Sequence, residues 1–243
     1  MHVRHVKTLL FACLAAIAGA SGAFAQTAEE IIARNLQAKG GVEKWKTIAS
    51  VKMTGTLSAQ GQDVPMTVYT KRPNLLRQDI TTPAGNAVQA FDGTTAWVIP
   101  PGAAAAREVS GPQADAARSN SDFDGPLLDY AAKGHRVELI GREKVGGAEA
   151  YHLKLTRKDG AIEHYYIDVT SNLEVKRTAE MNAGGGKRTL ESELSNYRAV
   201  DGVMVPHTMT QSVDGAPVMQ VRFSTVQFNV PMDDDLFRMP KAK

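Results

Sequence analysis

The chain has 243 residues, with 28 Lys and Arg against 26 Asp and Glu, and 43% of it is hydrophobic. That near balance provides no field for nucleic acid or an anionic membrane surface, and a single cysteine rules out a disulfide framework within the chain. There is no internal repeat and no charge block, so the chain is expected to bury its core as one domain.

In chain order, the first element is a targeting segment. "MHVRHVKTLLFACLAAIAGASGAFAQ" has Arg4 and Lys7 in a positive region, an apolar stretch from Leu9 to Ala20, and Ala23-Phe24-Ala25 as a cleavage site before Gln26. The apolar run is too short for a membrane span. A lipobox reading of "LFAC", with Cys13 acylated, would strand a second apolar run on the mature protein, so a signal peptide over 1–25 and a periplasmic destination are expected. The remaining 218 residues, 26–243, then form a single domain that is formally neutral and has no thiol, because Arg4, Lys7 and Cys13 leave with the signal.

"TAEEIIARNLQAKGG" predicts a helix with a Thr27/Glu30 capping box and a stop at Gly40-Gly41. A shorter helix over "VEKWKTI" follows and carries Trp45. From Ser50 the apolar period becomes two. Val51, Met53 and Leu57 alternate with polar residues, "SAQGQD" turns the chain, and Val64, Met66 and Val68 share one face of the next strand. Arg72 follows in that same phase, aimed at the side of the aliphatics, where it needs carbonyl or carboxylate acceptors.

Strands joined by turn-like sequences then recur to the C-terminus, interrupted by the excursion 100–122 and by "FDGPLLDYAAKG", which reads as helical up to Gly134. A meander of about eleven antiparallel strands has to curl. The expected architecture is mainly β with α: a half-open, unclosed antiparallel barrel with a helical lid on its concave side.

No catalytic, metal or cofactor site stands out. "NAGGGKRT" imitates a phosphate loop, but Met181 replaces the first Gly and Arg188 the Ser/Thr. His152, His164 and His207 look scattered, and Glu163 and His164 point to opposite faces of a strand. "MDDDLF" lacks calcium-loop spacing. Met53, Met66, Met181, Met209 and Met219 lie in strands among apolar neighbours, where adaptable side chains suit either a core or a forgiving cavity. Trp97 has the same two readings. Arg177 and His207 are further polar residues in phase with apolar rows.

"KRPNLLRQDITTPAGNAVQAFDGTTAWVIPP" resembles the LolA carriers of bacterial periplasms, in which a K-R-P-N-L stretch leads through a strand to a D-G-x-T-x-W segment and a proline. "LQAKGGVEKWKTIASVKMTGTL", "GPLLDYAAKGHRVELIGREKVGGAEAYHLKLT" and the C-terminal "NYRAVDGVMVPHTM…FNVPMDDDLFRMP" are similar to the broader outer-membrane lipoprotein-sorting group. The chain is longer than LolA itself, and its later strands match only that looser group. The resemblance implies an unclosed barrel, a lid and an apolar cavity for lipoprotein acyl chains or another lipid. It implies transfer from an inner-membrane donor to an outer-membrane acceptor by a monomer. It also gives Arg72 a lid-holding, ligand-gating role; the alternative from the residues alone is a strand end whose side chain reaches to water. Met53, Leu57, Val64, Met66, Val68 and Trp97 are the expected cavity-lining residues. A lipid- or lipoprotein-sensing regulatory module is the second functional reading.

Overall fold

In the computed structural model, residues 26–183 and 186–241 are described, and the expected signal peptide and Cys13 lie outside them. The described part opens with α1 (Ala28–Ala38) and α2 (Val42–Lys46). Strands β1 (Ser50–Ala59), β2 (Gln62–Lys71), β3 (Leu75–Thr82), β4 (Gly85–Phe91), β5 (Ala96–Ile99) and β6 (Arg107–Glu108) follow, then α3 (Pro112–Asn120). After it come β7 (Arg136–Val145), β8 (Ala148–Thr156), β9 (Ile162–Asp168), β10 (Glu174–Ala183), β11 (Gly186–Val200), β12 (Val203–Val213) and β13 (Ala216–Phe228). All thirteen make one antiparallel sheet in the order β6-β5-β4-β3-β2-β1-β13-β12-β11-β10-β9-β8-β7.

That order explains the lid. The chain runs outward from β1 to one edge, then reappears at the opposite edge as β7 and works back until β13 pairs with β1. The excursion 109–135 therefore has to cross from edge to edge. Because β6 and β7 do not pair, the sheet stays open and has a concave side to cover.

Each covering element sits where its apolar face demands. Thr27 Oγ1 accepts from the Glu30 N–H at 3.2 Å and the Glu30 carboxylate accepts from the Thr27 N–H at 3.3 Å, which satisfies two otherwise orphaned donors of α1. Ile31 and Ile32 of α1 are then buried against Tyr151, Leu153, Leu155, Tyr165 and Ile167 of β8 and β9. Full burial of an isoleucine is worth about 1.5–3 kcal/mol, so this face fastens α1 firmly. Its end is tied as well: the Met204 N–H donates to the Lys39 carbonyl at 3.0 Å, and a Cβ on Gly40 (φ +119°) would meet the Gly202 carbonyl at 2.6 Å.

Two covering segments differ from expectation. The excursion contains α3, whose Ala114 and Ala117 pack on the β2–β5 half of the concave face. Alanine adds too little apolar contrast to mark such a helix in a sequence. The stretch "FDGPLLDYAAKG" is instead a chain of turns, because Gly125 (φ +67°) and Asp129 (φ +53°) adopt left-handed conformations that a right-handed helix cannot pass through. Leu127 and Leu128 are nevertheless buried by it.

Candidate functional site

Between the lid and the sheet lies a cavity of about 340 Å³, within the roughly 300–1,000 Å³ typical of ligand sites. Its floor comes from Val51 and Met53 of β1, Leu194 of β11, Val205 and Met209 of β12, and Phe223 and Phe228 of β13. Leu36, Val42 and Trp45 of the first two helices, with Leu127 and Leu128 of the crossing segment, form its roof. This is a greasy space with few polar groups, and those few are gathered at its two ends.

At the β2 end, Arg72 finds the acceptors its phase requires. Its Nε donates to the Ile48 carbonyl at 2.7 Å, Nη2 to the Trp45 carbonyl at 3.2 Å and Nη1 to Asp124 Oδ2 at 2.7 Å. Two of these are carbonyls at and just beyond the C-terminus of α2; the Trp45 carbonyl also accepts from the Ile48 N–H at 3.1 Å, so Arg72 shares it with the closing turn. The guanidinium carbon also lies 4.4 Å from the Phe123 ring centroid. Trp45 Nε1 donates to Asp124 Oδ1 at 2.9 Å, and the Trp45 and Phe123 rings are 5.4 Å apart. Burial alone would raise the Asp124 carboxyl, but the hydrogen bond and charge of Arg72 outweigh it and hold the pKa below 3.8. Arg72 thus joins β2, α2 and the crossing segment. No residue of α2 is buried, in contrast to α1, so these polar ties carry much of its attachment.

At the β10 end sits a second polar group. The Glu174 carboxylate is 2% exposed and accepts from Arg177 Nε at 3.0 Å, with Nη2 equally close. Lys39 Nζ lies 3.6 Å from Glu174 Oε2, and Tyr197 donates its hydroxyl to the Glu174 carbonyl at 2.7 Å. Lys39, Glu174, Arg177 and Tyr165 all line the cavity.

The expected lining residues divide. Met53 lines the cavity. Val68 lies directly opposite it on β2, and Met66, Val64 and Leu57 share that face, as the pairings Met53–Val68, Gly55–Met66 and Leu57–Val64 show. Met66 and Val68, however, are buried beneath α3 with Leu76, Phe91 and Val98, and Leu57 packs against the same cluster. Met66 and Val68 form sealed core next to the cavity, and Leu57 and Val64 are half-buried. Trp97 does not line it: in register with Ala90 and Arg77 it faces the convex side, fully buried, with Nε1 donating to the Phe237 carbonyl at 2.8 Å. Of the other methionines, Met209 lines the cavity, Met219 is half-buried against the cluster under α3, and Met181 is exposed.

The histidines are less scattered than expected. The pairing of β8 with β9 brings His152 Nε2 to 2.7 Å from His164 Nδ1, and His152 Nδ1 is 2.5 Å from Glu143. This chain lies on the convex face, while Glu163 lies on the concave one opposite Leu155. No group of three or more metal-type ligands forms among the described residues. His207 is buried, with Nδ1 3.0 Å from the Val205 carbonyl.

The Glu174–Arg177 pair escapes sequence reading for a definite reason. Residues three apart on a regular strand face opposite ways, but the register between β9 and β10 shifts between Glu174 and Lys176. That bulge turns Glu174 to the same face as Arg177. Lys39 reads as an ordinary helix end, and Asp124 lies in a stretch that reads as helical; only phase singles out Arg72 and Arg177.

Solved structures share the fold. A LolA superfamily protein of Nitrosomonas europaea is 16% identical, with a TM-score of 0.58 over 88% of this chain and 98% of its own. The chain has a LolA-like fold. A DUF1329 family protein from Desulfovibrio piger (13% identity, TM-score 0.59, 86% of this chain and 96% of that one) and an outer membrane lipoprotein-sorting protein domain from Vibrio parahaemolyticus (14%, 0.59, 86% and 94%) have the same LolA-like architecture. No family model and no curated protein matches the sequence.

Proposed function

We propose that this protein is a periplasmic lipid carrier, which takes acyl chains of lipoproteins or of another lipid into its cavity and hands them on toward the outer membrane. The observation that carries the reading is an apolar cavity of about 340 Å³ roofed by elements latched to the sheet through Arg72. The LolA-like fold, which it shares with a lipoprotein-sorting domain, supports the same reading.

Carriage requires release as well as uptake. Each buried methylene is worth roughly 0.8 kcal/mol, so a cavity that held a chain without opposition would bind it too tightly to transfer. A latch that closes best over the empty cavity supplies that opposition: lipid has to displace the roof from Arg72, and the recovered hydrogen bonds favour expulsion. Met53 and Met209 add adaptable walls. The test is delipidated protein mixed with a fluorescent fatty acid and then with acceptor liposomes, a triacylated lipopeptide serving as competitor. Uptake followed by vesicle transfer is expected. Uptake without transfer would favour a sensing module, and absence of uptake would end the lipid reading.

A further inference from the structure

The β10 end of the cavity contains more positive charge than its surroundings cancel. The charged residues lining the whole cavity are Lys39, Arg177, Glu174 and Asp124. Asp124, at the far end, is matched by Arg72 behind it. Glu174 is matched by Arg177, whose Nε donates to it and whose Nη2 lies equally close to the same oxygen. Nearby Glu163 is paired with Arg157. Lys39 is left as one cation in excess.

Its ammonium is only loosely engaged. Nζ sits 3.6 Å from Glu174 Oε2, within ion-pair range but beyond the length of a full hydrogen bond. A third of the Lys39 side chain and 38% of that of Arg177 remain accessible, and both line the cavity. Burial pushes the Lys39 ammonium below its ordinary 10.5, Arg177 pushes it the same way, and Glu174 recovers only part of the loss. An underhydrated cation with one long, shared ion pair at the end of a greasy cavity is complementary to an anion joined to a hydrocarbon tail.

The size of the space sets the tail. An engineered cavity of about 150 Å³ takes one benzene, so 340 Å³ takes about a dozen carbon atoms: one acyl chain, not three. The tail would run from Lys39 toward Met53, Phe223 and Phe228, under Trp45.

We propose that the cavity selects a single-chain anionic amphiphile, whose carboxylate or phosphate head is held by Lys39 and Arg177 while its tail fills the space toward the Arg72 latch. This rests on the carrier reading and narrows it to a charged lipid. Lys39 is well placed for the role because its backbone is fixed to β12 through the Met204 N–H, so the head contact survives movement of α2.

Calorimetric titration of the delipidated full chain with dodecanoate, dodecyl phosphate and dodecanol, all below their micellar concentrations, tests the proposal. Both anions are expected to bind at least tenfold more tightly than the alcohol, and the tighter of the two identifies the head as fatty acid or phospholipid-derived. Lys39→Met should collapse that ratio to about threefold or less, and Lys39→Arg should keep it. Glu174→Gln adds a second excess charge and should raise the ratio, a gain that misfolding cannot imitate. Equal binding of alcohol and anions by the wild type, or a ratio unmoved in Lys39→Met and Glu174→Gln, overturns the head-group site and leaves the carrier reading standing. Failure of all three ligands to bind overturns both.

Discussion

Replacing Arg72 by leucine removes three hydrogen bonds at once, to Ile48, Trp45 and Asp124, together with the contact over Phe123. Hydrogen bonds to a charged group are worth about 1.5–3 kcal/mol each, but the sum is not available. The Arg72 side chain is 26% exposed and that of Asp124 30%, so water replaces part of what is lost. Asp124 also keeps its bond from Trp45 Nε1. A net loss of about 1.5–3 kcal/mol in the closed state is reasonable, which shifts the lid equilibrium by about one to two powers of ten toward open. The chain has two tryptophans, and Trp97 is fully buried on the opposite face, so a red shift in emission reports on Trp45. The variant should show that shift without ligand, take up fluorescent fatty acid at least as well as wild type, and transfer it to liposomes more slowly. Arg72→Lys should recover only part of the transfer, because an ammonium lacks the planar fork that spans separate acceptors. Wild-type emission, uptake and transfer in Arg72→Leu would refute the latch and reduce Arg72 to a strand end.

Met53→Asp should abolish fatty-acid uptake with modest loss of stability, whereas Val68→Asp, on the same face but sealed under α3, should lower the melting temperature sharply through an unpaired buried charge, a cost of about 3 kcal/mol or more; circular dichroism melts beside uptake separate the two. The Asp124 carboxyl is depressed in the closed state, so its contribution is complete above its ordinary 3.8 and disappears as pH falls through the lowered value; Trp45 emission should shift to the red in that acid range, and Asp124→Asn should be shifted already at neutral pH. Trp97→Phe removes the donor to the Phe237 carbonyl and should cost about 1–3 kcal/mol in urea unfolding while leaving fatty-acid uptake unchanged.

Much of the fold is legible in the sequence because its signals are local. The Thr27/Glu30 capping box, the period-two alternation of β1 and β2 and the turn residues between strands each act within a few positions. A long antiparallel meander with unequal covering segments leaves few ways to hide its apolar face. The phase of Arg72 even predicted the kind of acceptor it would need, since a guanidinium on an apolar face is costly without one. Local signals do not say which covering segment lies over which part of a face. Met53 and Val68 are cross-strand neighbours with the same periodicity, yet one meets the cavity and the other α3. Trp97 belongs to the motif that resembles the carriers, yet its strand register turns it to the convex side, where the C-terminal segment arrives from 140 residues away. His152 and His164 meet only because β8 pairs with β9, and Glu174 joins Arg177 and Lys39 only through a bulge and the docking of α1. Local periodicity determines which residues can share a face; strand register, bulges and the path of the crossing chain decide which of them share a site, because those are set by contacts between residues far apart in sequence.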